Sequence, residues 1–80
     1  MHIIKISKSI GSYSISIYTE SLVSLDSDKF NDIQSANFYL QTLGKKYSMK
    51  NALIVIHDTK KNSVELQESS VPDSMFIEEN

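Results

Sequence analysis

Between positions 12 and 17 serine and large apolar side chains take turns: Ser12, Ser14 and Ser16 on one parity, Tyr13, Ile15 and Ile17 on the other. A period of two marks a strand with one face buried, because successive side chains on extended backbone leave on opposite sides. Upstream, Ile4, Ile6 and Ile10 share a parity interrupted by Lys8. Gly11-Ser12 between the two runs suits the two-residue loop of a type II′ hairpin, with glycine at the first central position. That loop predicts the pairs Ile10 with Tyr13, Lys8 with Ile15, Ile6 with Ile17 and Ile4 with Thr19. It gathers every large apolar residue of the hairpin except Ile3 and Tyr18 onto one face. Lys5, Ser7, Ser9, Ser14, Ser16 and Tyr18 make the other, solvated face, where the serines are surface groups rather than nucleophiles.

Further along the chain the period changes. Phe30, Ile33, Ala36, Leu40, Leu43 and Tyr47 recur at steps of three and four, the stripe of an amphipathic helix. The preceding run, Asp26-Ser27-Asp28-Lys29-Phe30-Asn31-Asp32, is rich in N-cap residues and in negative charge that suits a helix N-terminus. The helix is expected to end near Gly44, with Lys45 and Lys46 at the negative end of its dipole. Phe38 falls off the stripe, on roughly the opposite side of the helix from Leu40 and Tyr47. Residues 52–56, Ala-Leu-Ile-Val-Ile, are apolar without alternation, as in a strand covered on both faces. Asp58 to Asn62 reads as a turn, and Val64 and Leu66 alternate with Ser63, Glu65 and Gln67 in a last strand. With Asn62 in the left-handed position of a four-residue loop, Val55 pairs with Leu66 and His57 with Val64. A three-residue loop instead sets Ile54 and Ile56 opposite Leu66 and Val64. In either register two aliphatics of the third strand point away from the face its partner strand assigns to the core.

These elements predict an α+β fold of order β-β-α-β-β. The expected architecture is a four-stranded, mainly antiparallel sheet with one helix packed on one face. Passing the helix over the first strand gives the spatial order second, first, third, fourth, with a right-handed crossover. Residues 1–68 form the single domain. Residues 69–80 lose periodicity and read as a mobile or loosely docked acidic tail, within which Met75-Phe76-Ile77 is unusually apolar.

Eighty residues hold one domain, and a chain of this size buries only roughly 60–65% of the surface its unfolded form exposes. It has no cysteine, which removes disulfides and thiolate metal sites and fits a reducing compartment. Packing alone must hold so thin a core, and dimerisation is a natural supplement. No run approaches the ~18 apolar residues of a membrane span. The opening Met1-His2-Ile3-Ile4-Lys5-Ile6 has neither the uninterrupted apolar stretch nor the cleavage site of a signal peptide. The expected location is the cytoplasm, with no membrane partner. A net charge of −2, with all eight basic residues lysine, argues against direct nucleic-acid binding, which favours a basic excess and arginine forks.

Chemistry is sparse. His2 and His57 have no partners at metal-ligand or general-base spacing, and His57-Asp58 are strand neighbours that point to opposite faces. Two glycines cannot build a phosphate-cradling loop. Asp26, Asp28 and Asp32 lack the spacing, glycine and closing glutamate of a calcium loop and read instead as helix-capping charge. None of the fourteen serines has a base beside it. No catalytic residue, cofactor or metal is therefore expected. Binding candidates remain. They are Phe38 with Tyr39 on the outer helix surface, Tyr18 on the open face of the sheet, and Lys45, Lys46 and Lys50 near the helix C-terminus. In the tail, Met75, Phe76 and Ile77 are followed by Glu78 and Glu79.

The order Ile3–Ile10, Tyr13–Thr19, Phe30–Tyr47, Ala52–His57, Val64–Glu68, on a chain rich in lysine, asparagine, serine and isoleucine, resembles small proteins encoded by bacteriophages and mobile elements. Among them it is similar to anti-CRISPR proteins. The resemblance, carried by element order and composition, implies a stoichiometric inhibitor that occupies a surface of a host nuclease complex. The function expected is thus a non-enzymatic inhibitor or adaptor that binds a protein or ribonucleoprotein complex, as monomer or homodimer. Two alternatives stand beside it. One is a small nucleic-acid-binding module using the lysine patch, and the other a homodimeric accessory or antitoxin-like protein.

Overall fold

Residues 1–48 and 51–70 are described by a computed structural model of the chain. The elements are β1 (His2–Ser9), β2 (Ser12–Tyr18), β3 (Ser24–Phe30), α1 (Ile33–Lys46), β4 (Asn51–Asp58) and β5 (Ser63–Ser70). The five strands form one mixed sheet in the order β3-β2-β1-β4-β5. Three of the four pairings are antiparallel, and the fourth, between the central strand β1 and β4, is parallel. The expected order of four strands is present, with β3 added at the edge beside β2. Among the described residues no helix is long and apolar enough to cross a membrane.

The additional strand is the main departure from the sequence-based expectation. Asp26 and Asp28 do not cap a helix; they sit on β3, opposite Ile17 and Ile15. Phe30 closes that strand, opposite Tyr13, and is not the first residue of the helical stripe. Only Asp32 caps α1: its carboxylate accepts from the Ser35 amide at 2.9 Å, and that hydrogen bond holds its pKa down. A strand of this composition is stable as an edge, where charged side chains discourage pairing with another chain. A shift of register between Ile17 and Tyr18 marks a bulge that leaves Leu25 unpaired on β3, packed against the core.

The first hairpin is present, but its register differs by two residues from the expected one. Ser9 pairs with Ser12, Lys8 with Tyr13, Ile6 with Ile15 and Ile4 with Ile17, so the loop is Ile10-Gly11. Gly11 carries the positive φ of +68° and stands second in the loop, not first. A two-residue slip preserves parity, so the same isoleucines stay on the same face while Ile10 moves from core to solvent, 88% exposed. Helix α1 also runs past Gly44, which is buried within it. It stops where Ser48 takes a φ of +49° and its amide reaches back to the Lys45 carbonyl, the left-handed ending usually given to glycine.

The core is one cluster: Ile4, Ile6, Ile15 and Ile17 from the hairpin, Ala36, Leu40 and Leu43 from the helix, Ala52 and Ile54 from β4. Tyr13, Leu25, Phe30, Ile33, Tyr39, Tyr47 and Ile56 pack around it. The helix lies nearest β2 and β3. The parallel register sets the parity of β4 by placing Ile54 beside Ile4 and Ile56 beside Ile6. The second hairpin has the four-residue loop, with Asn62 at φ +51°, Val55 opposite Leu66 and His57 opposite Val64. Val64 and Leu66 therefore share the face of Val55, away from the helix. Alternation within β5 would by itself assign these two to the core. It shows only which residues share a face, however, and the central neighbour β1 decides which face turns inward.

Candidate functional site

One face of the sheet carries α1, and among the described residues no element lies over the other. The strand registers order that open face into rows. One runs from Ser24 through Tyr18 and Ile3 to Leu53; the next from Ser27 through Ser16, Lys5 and Val55 to Leu66. The third runs from Lys29 through Ser14, Ser7 and His57 to Val64. Apolar positions gather on one side: Leu53 and Val55 of β4, Val64 and Leu66 of β5, Ile3 at the start of β1 and Tyr18 at the end of β2. Leu66 and Val64 are 67% and 63% exposed, whereas Ile3, Tyr18, Leu53 and Val55 are half-buried by their neighbours in the sheet. The other side is serine and lysine, with the Ser16 and Ser27 hydroxyls 3.0 Å apart. Lys5, exposed, stands at the seam between the two. The open face thus sets an apolar strip beside a polar field.

A second feature lies at the junction of β3 and α1. Phe38 is 70% exposed on the helix, as its place off the apolar stripe predicts. It borders a shallow groove of about 530 Å³ lined by Phe30, Tyr39, Thr42, Gln34 and Ser35, with Asp28 and Asp32 at its acidic side. Tyr39 does not stand exposed beside Phe38. It is half-buried, its ring 5.1 Å from that of Phe30 and inclined at 47°. Burial, followed by the nearby Asp26 and Asp28 carboxylates, raises its phenol pKa.

The third feature is the helix C-terminus. Asp26 on β3 accepts hydrogen bonds from the Tyr47 hydroxyl and from Lys46 Nζ, the latter at 3.0 Å. The Tyr47 bond first, and Lys46 second, lower the Asp26 pKa; the same carboxylate raises those of Tyr47 and Lys46. Lys46 Nζ also lies 5.4 Å from the centre of the Tyr47 ring, and the His2 ring on β1 lies 5.9 Å from it, centre to centre. Lys46 and Tyr47 thus serve the fold, tying the end of the helix to the edge strand. Lys45 is exposed nearby. Lys50 lies outside the described residues, as do Met75, Phe76, Ile77, Glu78 and Glu79.

Sequence periodicity locates Tyr18 on the open face of the sheet and Phe38 on the exposed side of the helix but leaves Val64 and Leu66 out of the site, and it holds no signal for the tie between Asp26 and Tyr47. His57 faces the open side between Ser7 and Val64, and Asp58 accepts from the amides of Lys60 and Lys61 in the turn, so the two do not meet. Among the described residues no three His, Asp or Glu side chains come together in a way that would hold a metal ion. No family model, no curated protein and no solved structure gives a significant match to this chain.

Proposed function

We propose that the chain is a non-enzymatic protein-binding module, an inhibitor or adaptor that acts by occupying a surface of a protein or ribonucleoprotein complex. The observation that carries this reading is the apolar strip of Leu53, Val55, Val64, Leu66, Ile3 and Tyr18 on the open face of the sheet. A domain with so thin a core has little apolar area to spare, and two aliphatics left about two-thirds exposed on one strand favour a contact. Tyr18 supplies the aromatic anchor that such contacts concentrate on. Phe38 is a secondary anchor on the opposite side of the molecule. The resemblance to bacteriophage-encoded inhibitors of the anti-CRISPR kind supports the same stoichiometric mode of action and a cytoplasmic setting.

The experiment is affinity capture from a bacterial lysate with the tagged chain, run in parallel with Leu66→Glu and Phe38→Ala. Capture of the same protein by the wild type and Phe38→Ala, lost with Leu66→Glu while the circular dichroism spectrum is unchanged, is the expected result. Capture indifferent to Leu66→Glu removes the open face from the reading. A second reading, a homodimeric accessory or antitoxin-like protein, draws on the same strip with another copy as its cover, and sedimentation over a range of concentrations separates the two. Nucleic-acid binding is the least supported reading, because Lys46, the centre of the lysine patch, is already engaged by Asp26.

A further inference from the structure

We propose that the groove between β3 and α1 is a docking site for an arginine-bearing segment of a partner polypeptide, its guanidinium stacked on Phe38 and forked onto Asp28 or Asp32. This surface lies on the helix side of the sheet, apart from the open face, and the proposal goes beyond the reading above. The groove joins an aromatic floor to a charged border. Phe30 and Tyr39 pack against each other at 5.1 Å and are half-buried, and Phe38 stands 70% exposed beside them. Asp26 reaches Tyr47 and Phe30 reaches Tyr39, so Asp28 lies between these contacts, alongside the middle of the helix. Asp32 stands at the helix start. The two carboxylates therefore flank the rings. The helix positions that line the groove run from Gln34 to Thr42, a length of roughly 12 Å at the rise of an α-helix. That length matches about three or four residues of extended chain.

Charge selects the occupant. Among the described residues that line the groove, Asp28 and Asp32 are the charged ones, and both are exposed. Asp28 accepts from the Lys29 amide at 2.8 Å and Asp32 from the Ser35 amide at 2.9 Å. A carboxylate has about four acceptor sites, so these bonds leave room for a guanidinium. Lys29 and Lys46 do not take that place. Lys29 stands on the other parity of β3, in an open-face row, and Lys46 is engaged by Asp26. The helix N-terminus contributes about half a positive charge, which the full charge of Asp32 more than offsets. Burial first, and then the Asp26 and Asp28 carboxylates, raise the Tyr39 phenol pKa, so the negative field reaches the aromatic floor. Arginine suits this pairing of ring and carboxylate better than lysine, because its planar guanidinium both stacks and forks. The chain contains no arginine, so this occupant comes from a partner rather than from a second copy.

The test titrates the full chain, isotopically labelled, with the synthetic peptide acetyl-Gly-Arg-Leu-Arg-Gly-amide and follows the backbone amide resonances. A control peptide carries citrulline, the uncharged isostere, in place of arginine. Saturable shifts centred on Asp28, Phe38 and Tyr39, absent with the citrulline peptide and unchanged in Leu66→Glu, are the expected result. Asp28→Asn combined with Asp32→Asn keeps an acceptor oxygen on each side chain, and asparagine caps a helix about as well as aspartate. The double variant therefore folds, while the dissociation constant for the peptide rises about tenfold. Phe38→Ala weakens the peptide as well, through loss of the stacked ring. Affinity unchanged in both variants, shifts centred on the open face, equal binding of the citrulline peptide, or no saturable shift would each overturn the proposal. So would equal affinity for free arginine amide, which would mark a small-molecule site instead. Failure of this titration leaves the open-face reading standing, since Leu66→Glu probes that surface alone.

Discussion

Replacing Ile54 and Val55, one at a time, with threonine asks which side of β4 holds the fold together. Threonine keeps the β-branch in both cases, so strand propensity drops out of the comparison. Ile54 is 1% exposed, between Ile4 and the helix side of the core. Ile54→Thr removes about two carbons' worth of apolar burial, roughly 1.6 kcal/mol at ~0.8 kcal/mol per methylene. It also buries a hydroxyl with no partner, at about 1–3 kcal/mol. The sum, roughly 3–5 kcal/mol, is a large share of the ~4–12 kcal/mol expected for a domain of this size. Val55→Thr is nearly isosteric and turns its hydroxyl to the open face, so its cost stays below about 1 kcal/mol. Urea unfolding followed by circular dichroism measures both. With a slope of about 1–1.5 kcal/mol/M, Ile54→Thr lowers the midpoint by roughly 2 M or more and Val55→Thr by well under 1 M. Equal losses, or a greater loss at Val55, would mean that Leu53 and Val55 face the helix and that the open-face strip has been assigned to the wrong residues.

Other expectations follow from the same geometry. Gly11 has a φ of +68° and open space where a Cβ would stand, so Gly11→Val costs about 1–2 kcal/mol of backbone strain and Gly11→Asn less; equal melting temperatures for both variants and the wild type would refute the turn. Asp26 is acidified in the folded state, so its stabilising contribution is present above the ordinary aspartate value of 3.8 and is lost as pH falls through the lowered value. Stability of Asp26→Asn should consequently fall less steeply below that pH, which acid titration by circular dichroism checks. Phe38→Ala should change stability by no more than about 0.5 kcal/mol, since the ring is mostly in water; a larger loss in thermal melting would show it to be part of the core. Random duplex DNA should not bind more tightly than roughly 10 μM at physiological salt, and a sub-micromolar mobility shift abolished by Lys45→Glu with Lys46→Glu would contradict this.

Much of the fold was legible from side-chain parity. The isoleucines of β1 and β2 share a face in either register, and Asn62 marks its own left-handed turn. Registers slipped by two leave that pattern untouched, so the loop at Ile10-Gly11 was not readable from it. Strand β3 escaped because Asp26 and Asp28 stand on its inward parity between Leu25 and Phe30, and Tyr47, which bonds Asp26, lies twenty-one residues away in the chain. A polar strand of this kind carries no alternation of its own, and next to a helix its carboxylates mimic a cap. For β4 the difficulty was different: aliphatics on both parities give no direction, and only the parallel partner β1 supplies it. The aromatic candidates fared unevenly for the same reason. Helical geometry predicts the exposure of Phe38, while the burial of Tyr39 depends on Phe30, a residue of the strand that the pattern concealed.

The parallel pairing of β1 with β4 divides the molecule in a way that bears on how it assembles. Every residue pair across that seam is 50 positions apart, as Lys8 and Asp58 are, whereas β1-β2, β2-β3 and β4-β5 join segments close in sequence. Closing the seam therefore carries most of the loop entropy, and it is the slow step expected in folding. On either side stand two locally wired pieces: a three-stranded meander with the helix, and a hairpin. Cut between Ser48 and Asn51, the chain would yield two fragments whose only shared strand boundary is β1 against β4. Their reassociation would report on that boundary directly, and the protein thereby offers itself as a two-piece complementation system.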